Sequence, residues 1–166
     1  MELLKTINEE SVSAEEVELL GNRTAVRAVI VDGEKIALIH AQNNNYYELP
    51  GGGAEKGEIP EAAVIRECRE ETGCEVEIIK PIGRVLELRR ESKIANDSHC
   101  YLVRILAKSQ PDLTEKEIDE GKKVMWVTLA EARKLILSSD TTKSFYGKYL
   151  VIRDMTFLDK FGSDNC

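Results

Sequence analysis

The sequence has no run of about 20 apolar residues, the length a bilayer-spanning helix requires, so no membrane segment is expected. Residues 1–20 mix acidic and apolar positions without a long apolar stretch, and no secretory signal is expected there. The four cysteines (Cys68, Cys74, Cys100, Cys166) form no C-x-x-C pair, and no metal-ligand spacing joins them to His40 and His99. This excludes a recognisable Cys/His metal site and points to a reducing, cytoplasmic setting. Positive charge is short: 23 Lys and Arg face 30 Asp and Glu, a net charge of -7. General affinity for a nucleic acid polymer or an anionic membrane is therefore not expected. Internal repeats, low-complexity tracts and linkers are also missing.

The chain has 166 residues, 42% of them apolar, which suits one domain with a full core. The expected organisation is a single domain over 1–166, with an N-terminal elaboration at 1–20 and a C-terminal helix within 141–166. In the elaboration, Leu3, Leu4 and Ile7 can start a strand. Ser13 with Glu16 three residues on marks a short helix by a capping box.

β-branched residues predict a strand over Thr24 to Val31, and Asp32-Gly33 predicts a hairpin into Lys35 to Ala41. Tyr46 to Leu49 reads as a short strand. Further strands are expected over Glu75 to Lys80 and Arg84 to Glu91, interrupted at Pro81-Ile82-Gly83. A turn is expected over Ser92 to Ser98 and a strand over His99 to Ala107. Ser109 to Gly121 reads as a polar, acidic loop, Lys123 to Thr128 as a strand, and Leu129 to Ser138 as a helix capped by Thr128. A last helix is expected from Lys143 to Phe161. This irregular order predicts an α+β fold, an α/β/α sandwich with a mixed β-sheet between helices.

The most informative stretch runs from Gly51 to Cys74. It opens as a glycine loop and becomes a helix, with Pro60 suited to the first turn and Gly73 to the left-handed end. Ala63, Val64 and Cys68 are expected to face the core, and Glu67, Glu70 and Glu71 the opposite side. Like charges three or four apart repel by roughly 0.2–0.5 kcal/mol per pair. A solvated face with Arg66 and Arg69 as counter-ions is the common explanation of such a triplet. A hard divalent cation is the other, since Mg²⁺ is held by a few carboxylates plus substrate phosphates.

The spacing favours the cation. Gly52, Glu58, Arg66, Glu67, Glu70, Glu71 and Gly73 fit G-x5-E-x7-R-E-U-x-E-E-x-G-U, where U is bulky and apolar. A chance match is on the order of one in 10⁵ for such a composition. In this the chain resembles the Nudix hydrolases, over about Thr24 to Ser138. Cys68 and Cys74 stand where that family usually has aliphatic residues, and Ile59 where a Ser or Thr cap is common.

The resemblance implies a Mg²⁺-dependent hydrolase, with Mn²⁺ as a substitute. Its expected substrate is a nucleoside diphosphate linked to another group, such as a nucleoside triphosphate or oxidised nucleotide, cleaved by water attack on phosphorus. An ADP-ribose or nucleotide-sugar pyrophosphatase is the alternative, as is a domain that only senses nucleotides. The implied metal ligands are the Gly51 carbonyl, Glu67, Glu70 and Glu71, with Arg66 orienting box carboxylates through ion pairs and Gly52, Glu58 and Gly73 completing the motif. Glu120, in the acidic run before Trp126, is the expected extra ligand or general base, with Glu117 or Glu71 in reserve. Arg27 reads either as a snorkelling arginine at a sheet edge or as a phosphate or base contact. Arg84 and Arg89, with Arg90, Lys93 and Arg104, are candidates for a phosphate clamp or plain surface charges. Tyr46 and Tyr47 are read as packing residues rather than a base-stacking pair. The C-terminal helix is free to cover substrate or to build a homodimer.

Overall fold

The structure, a computed structural model, describes residues 1–142 and 147–164. In chain order the elements are β1 (Leu3–Ile7), α1 (Ala14–Val17), β2 (Gly21–Asp32), β3 (Lys35–Ala41), β4 (Tyr46–Glu48), α2 (Pro60–Thr72), β5 (Cys74–Arg89), β6 (Ile94–Lys108), α3 (Glu115–Asp119), β7 (Lys122–Thr128), α4 (Leu129–Leu137) and α5 (Gly147–Ser163). The strands form one mixed sheet in the order β1-β5-β6-β2-β3-β4, with β7 on β3. β1 runs parallel to β5 and β2 parallel to β6, while the β5–β6, β2–β3, β3–β4 and β3–β7 pairs are antiparallel.

Alternation along β2 sends side chains to two cores. Val26, Ala28 and Ile30 join Tyr101 and Val103 under Ala63, Val64 and Cys68 of α2. Val29, Cys100 and Leu102 meet Ile136 of α4 and Tyr149, Phe157 and Leu158 of α5 on the other face. Each large apolar side chain so buried contributes roughly 1.5–3 kcal/mol. This is the expected mixed sheet between helices.

The site depends on a parting of strands. β2 and β3 pair only at Val31–Ile36 and Asp32–Lys35, next to the hairpin at Gly33. β3 then continues along β7. The first half of β2 is met instead by residues 50–54. Ala28 N–H donates to the Pro50 carbonyl (2.9 Å), Val26 N–H to Gly52 (2.9 Å) and Ala54 N–H to Thr24 (3.0 Å). Gly51 has φ 141°, and a Cβ there would drive into the Val26 carbonyl oxygen. Only glycine allows so close a backbone approach.

Three elements differ from the sequence expectation. Cys74–Arg89 is one strand, and Pro81-Ile82-Gly83 bends it through register shifts rather than ending it. Proline is tolerated there because a bulge needs no ladder N–H. β6 begins at Ile94, inside the expected turn, which shrinks to about Arg90–Lys93 with Lys93 at φ 54°. The expected loop before β7 contains α3, capped reciprocally by Thr114 and Glu117. The last helix is seen from Gly147, and positions 143–146 of the expected range, like Cys166, lie outside the described residues.

The N-terminal segment is built in. β1 is a sheet edge, and Val12 packs with Leu88 and Ala95. Ser13 and Glu16 form the expected capping box. Helix α5 packs into the core and onto β4. Asp154 Oδ2 accepts from Leu49 N–H (2.8 Å), and Oδ1 from Arg153 Nε (2.7 Å), both within the interior.

Asp154→Ala removes an acceptor from a buried N–H and a partner from a buried guanidinium. It should lower stability by about 3–5 kcal/mol in urea unfolding. Exposed Asp159→Ala should change it by no more than about 0.5 kcal/mol.

Candidate active site

Helix α2 starts at Pro60, whose missing N–H costs nothing at N1, and ends at Gly73 with φ 68°. Its buried residues are Ala63, Val64, Glu67, Cys68, Glu71 and Thr72. The expectation that Glu67 and Glu71 face away from the core is therefore corrected. Ala63, Glu67 and Glu71 are spaced by four, so they share one column of the helix. That column passes from the core to the cleft, leaving Glu67 8% and Glu71 2% exposed. Glu70 lies at the rim, with its side chain 27% exposed.

Arg66 gathers the surrounding acids. Its Nε donates to Glu58 Oε1 (3.0 Å) and Nη2 to Glu58 Oε2 (2.9 Å). Nη1 donates to both Glu67 Oε1 and Glu70 Oε2, each at 2.9 Å, and Nη2 also reaches the Gly53 carbonyl (3.1 Å). The Glu58 bond, then those to Glu67 and Glu70, hold the guanidinium firmly charged against the opposing effect of burial. Burial pushes the Glu67 carboxyl up despite Arg66. Gly52 makes room for this carboxylate, since a Cβ there would overlap it.

Glu71 turns the other way. Its Oε2 accepts from Gly51 N–H (2.7 Å) and its Oε1 from Lys122 Nζ (2.7 Å). Lys122 Nζ also lies 3.3 Å from Glu48 and 3.5 Å from Glu117. Burial pushes the Glu71 carboxyl up against the pull of Lys122. Burial acts to raise Glu48 too, but Arg27, Lys122 and Arg153 outweigh it and hold that carboxyl below its usual range. Lys122 stays cationic because Glu48 and Glu71 outweigh its own burial.

Two adjoining clefts open here. One, of about 310 Å³, is lined by Arg23, Arg27, Tyr46, Gly51–Gly53 and Lys122, with Glu48, Glu67, Glu117 and Glu120. The other, of about 380 Å³, shares Glu67, Thr114 and Glu117 and adds Arg66, Glu70 and Asp112. Both Glu117 and Glu120 therefore face the box across the gap. Glu117 Oε2 is engaged by Thr114 N–H (2.9 Å) and hydroxyl (2.7 Å). Among the described residues Glu120 accepts only a long bond from the Tyr46 hydroxyl (3.4 Å), with Lys116 at 3.7 Å.

Arg27 is a cleft residue on a central strand, not a snorkelling edge arginine; it is 7% exposed and donates to Glu48 (3.3 Å) and the Val26 carbonyl (2.7 Å). The clamp of Arg84 with Arg89 does not form. Arg84 pairs with Asp97 (2.8 Å) on the α2 side of the sheet, outside both clefts. Arg89 is bound to Glu87 and lies 5.4 Å from the Tyr149 ring. Arg90 reaches Glu16, and Arg104 pairs with exposed Glu77. Sequence reasoning passed over Glu48, Lys122, Arg23 and Arg153. A signal existed for Lys122: alternation puts it on one face with Val124 and Trp126, an apolar face where a lysine needs a partner.

The donor set suits a hard dication. Every candidate ligand is an oxygen, and fixed cations, Arg66 and Lys122, already sit on the box carboxylates. Pro50, Gly52 and Gly53 use their carbonyls internally, whereas the Gly51 carbonyl accepts no protein hydrogen bond among the described residues. Among those residues no three side chains are already gathered in metal-binding geometry, so the acids would have to turn from Arg66 and Lys122.

A family model described as the NUDIX domain matches residues 21–147. A "MutT-like protein" of Streptomyces ambofaciens is 46% identical over 107 residues, 63% of this chain and 62% of that protein. An "ADP-ribose pyrophosphatase" of Bacillus subtilis (strain 168) is 32% identical over 111 residues, 64% of this chain and 58% of that protein. The chain thus spans less than two thirds of either relative. A NUDIX hydrolase structure from Nitrosomonas europaea superposes with a TM-score of 0.67 at 17% identity, covering 87% of this chain and 90% of that one, a likeness of fold.

Arg66→Gln should leave Glu58, Glu67 and Glu70 mutually repelling and short of donors. Without added divalent cation, the urea midpoint should drop by the equivalent of about 1–3 kcal/mol. An unchanged midpoint would mean that Arg66 does not hold these acids together.

Proposed function

The chain belongs to the NUDIX family, and from that premise we propose that it is a Mg²⁺-dependent pyrophosphohydrolase, with Mn²⁺ able to replace Mg²⁺. Its substrate is a nucleoside diphosphate linked to another group. The observation that carries this is the convergence of Glu67 and Glu70 on one Arg66 nitrogen, at a cleft whose far wall presents Glu117 and Glu120.

Glu67, Glu70 and the Gly51 carbonyl would hold the cation, with Glu71 joining when it turns from Lys122. Once bound, the dication neutralises phosphate oxygens and lowers the pKa of water. Arg66 keeps the box carboxylates oriented, a supporting role. Arg27 and Arg23 line the cleft and would receive phosphate there. Glu120 is the general base, taking the proton of the attacking water, because Glu117 is committed to capping α3. The buried free thiols Cys68, Cys74 and Cys100 support a reducing, cytoplasmic setting. Among the described residues no helix is long and apolar enough to cross a membrane.

A nucleoside triphosphate or oxidised nucleotide is the leading substrate. The ADP-ribose reading is supported by the name of the Bacillus subtilis relative. Release of AMP and a sugar phosphate, rather than pyrophosphate, separates the two.

Purified protein should hydrolyse members of a nucleotide panel only with Mg²⁺ or Mn²⁺. Glu70→Gln and Glu71→Gln should each lower kcat by more than the about 10–100-fold typical of an outer partner's loss. Full activity in both variants would overturn the metal assignment.

A further inference from the structure

Lys122 takes no part in the chemistry above, yet carboxylates from three elements enclose its ammonium. Glu71 Oε1 of α2 lies at 2.7 Å, Glu48 Oε1 of β4 at 3.3 Å and Glu117 Oε1 of α3 at 3.5 Å. In each acid the second oxygen is tied elsewhere: Glu71 Oε2 to Gly51 N–H, Glu48 Oε2 to Arg27 and Glu117 Oε2 to Thr114. Three clamped carboxylates thus aim one oxygen apiece at a single positive centre. The lysine side chain is 9% exposed. Its neighbours on the same strand face, Val124 and Trp126, pack into the α2-side core.

We propose that Lys122 is the resident occupant of a cation position formed by Glu48, Glu71 and Glu117, and that a dication binding through Glu71 must displace it. This rests on the metal-dependent reading above. A primary ammonium is a compact point charge on a flexible four-carbon stem, so it can serve as a removable counter-ion where a planar guanidinium could not. A dication and the ammonium cannot share this enclosure, since like charges about 4 Å apart repel strongly away from bulk water. Lys122 lines the open cleft, so its stem has somewhere to swing. Without a metal, Lys122 keeps Glu71 and Gly51 in place; with one, the cation takes over that task.

Two measurements test the exchange. The first is Mn²⁺ titration of the wild type and Lys122→Gln, followed by electron paramagnetic resonance of the free ion. The variant should bind Mn²⁺ at least about 10-fold more tightly, because a competing like charge is gone. Equal or weaker binding overturns the proposal, leaving Lys122 a plain ion-pair partner. The second uses wild-type protein and does not depend on the variant folding. Lys122 should resist an amine-acylating reagent without Mg²⁺ and become labelled at saturating Mg²⁺, read by peptide mass. Unchanged protection, while the Mn²⁺ titration shows binding, overturns the exchange alone. Absence of Mn²⁺ binding in both proteins overturns the metal reading together with it.

Discussion

Inward-facing carboxylates must be matched by positive charge at close range, and this constraint shapes the molecule more than any other. Glu48, Glu67, Glu71, Glu87 and Asp154 are all buried. Each has a cationic partner: Arg27, Arg66, Lys122, Arg89 or Arg153. An unmatched charge in such places costs several kcal/mol, so neither member of a pair is free to vary alone. The pairs also connect. Glu71 meets Lys122, Lys122 meets Glu48, and Glu48 lies near both Arg27 and Arg153. The box helix is thereby joined electrostatically to α5 on the far side of the sheet.

The second constraint is geometric. A hairpin whose strands stayed paired would leave no room for a cleft. Because β2 and β3 separate after two residue pairs, the glycine loop slides in beside β2 and the box helix lies over it. The loop borrows β2's unused N–H groups, so its path is set by backbone bonding rather than by side chains.

How much of this was legible depended on the kind of signal. The Gly52–Gly73 spacing, the Pro60 start and the Gly73 stop identified α2 directly, and β-branched runs located β2 and β3. The Thr114–Glu117 pair was an equally good capping signal for α3, obscured by the acidic composition around it. Pro81 looked like a strand end because a register shift cannot be foreseen without its partner strand. At the site, Arg66, Glu67 and Glu70 could be named from the motif. Glu48 and Arg153 could not, because they acquire meaning only beside residues distant in the chain, and Lys122 gave only the weaker signal of a lysine sharing a strand face with Val124 and Trp126. Arg84 and Arg89 stand an odd number of positions apart, so strand alternation already sets them on opposite faces.

One bond has a consequence for how the protein is made. The Leu49 amide that precedes the glycine loop is held by Asp154, 105 residues further along the chain. On a ribosome, where domains fold as they emerge, the box helix would clear the tunnel long before its anchor does. The nascent chain therefore carries the complete motif, with its loop bonded to β2, before the Leu49 amide meets its acceptor, and that anchor arrives only with the last helix.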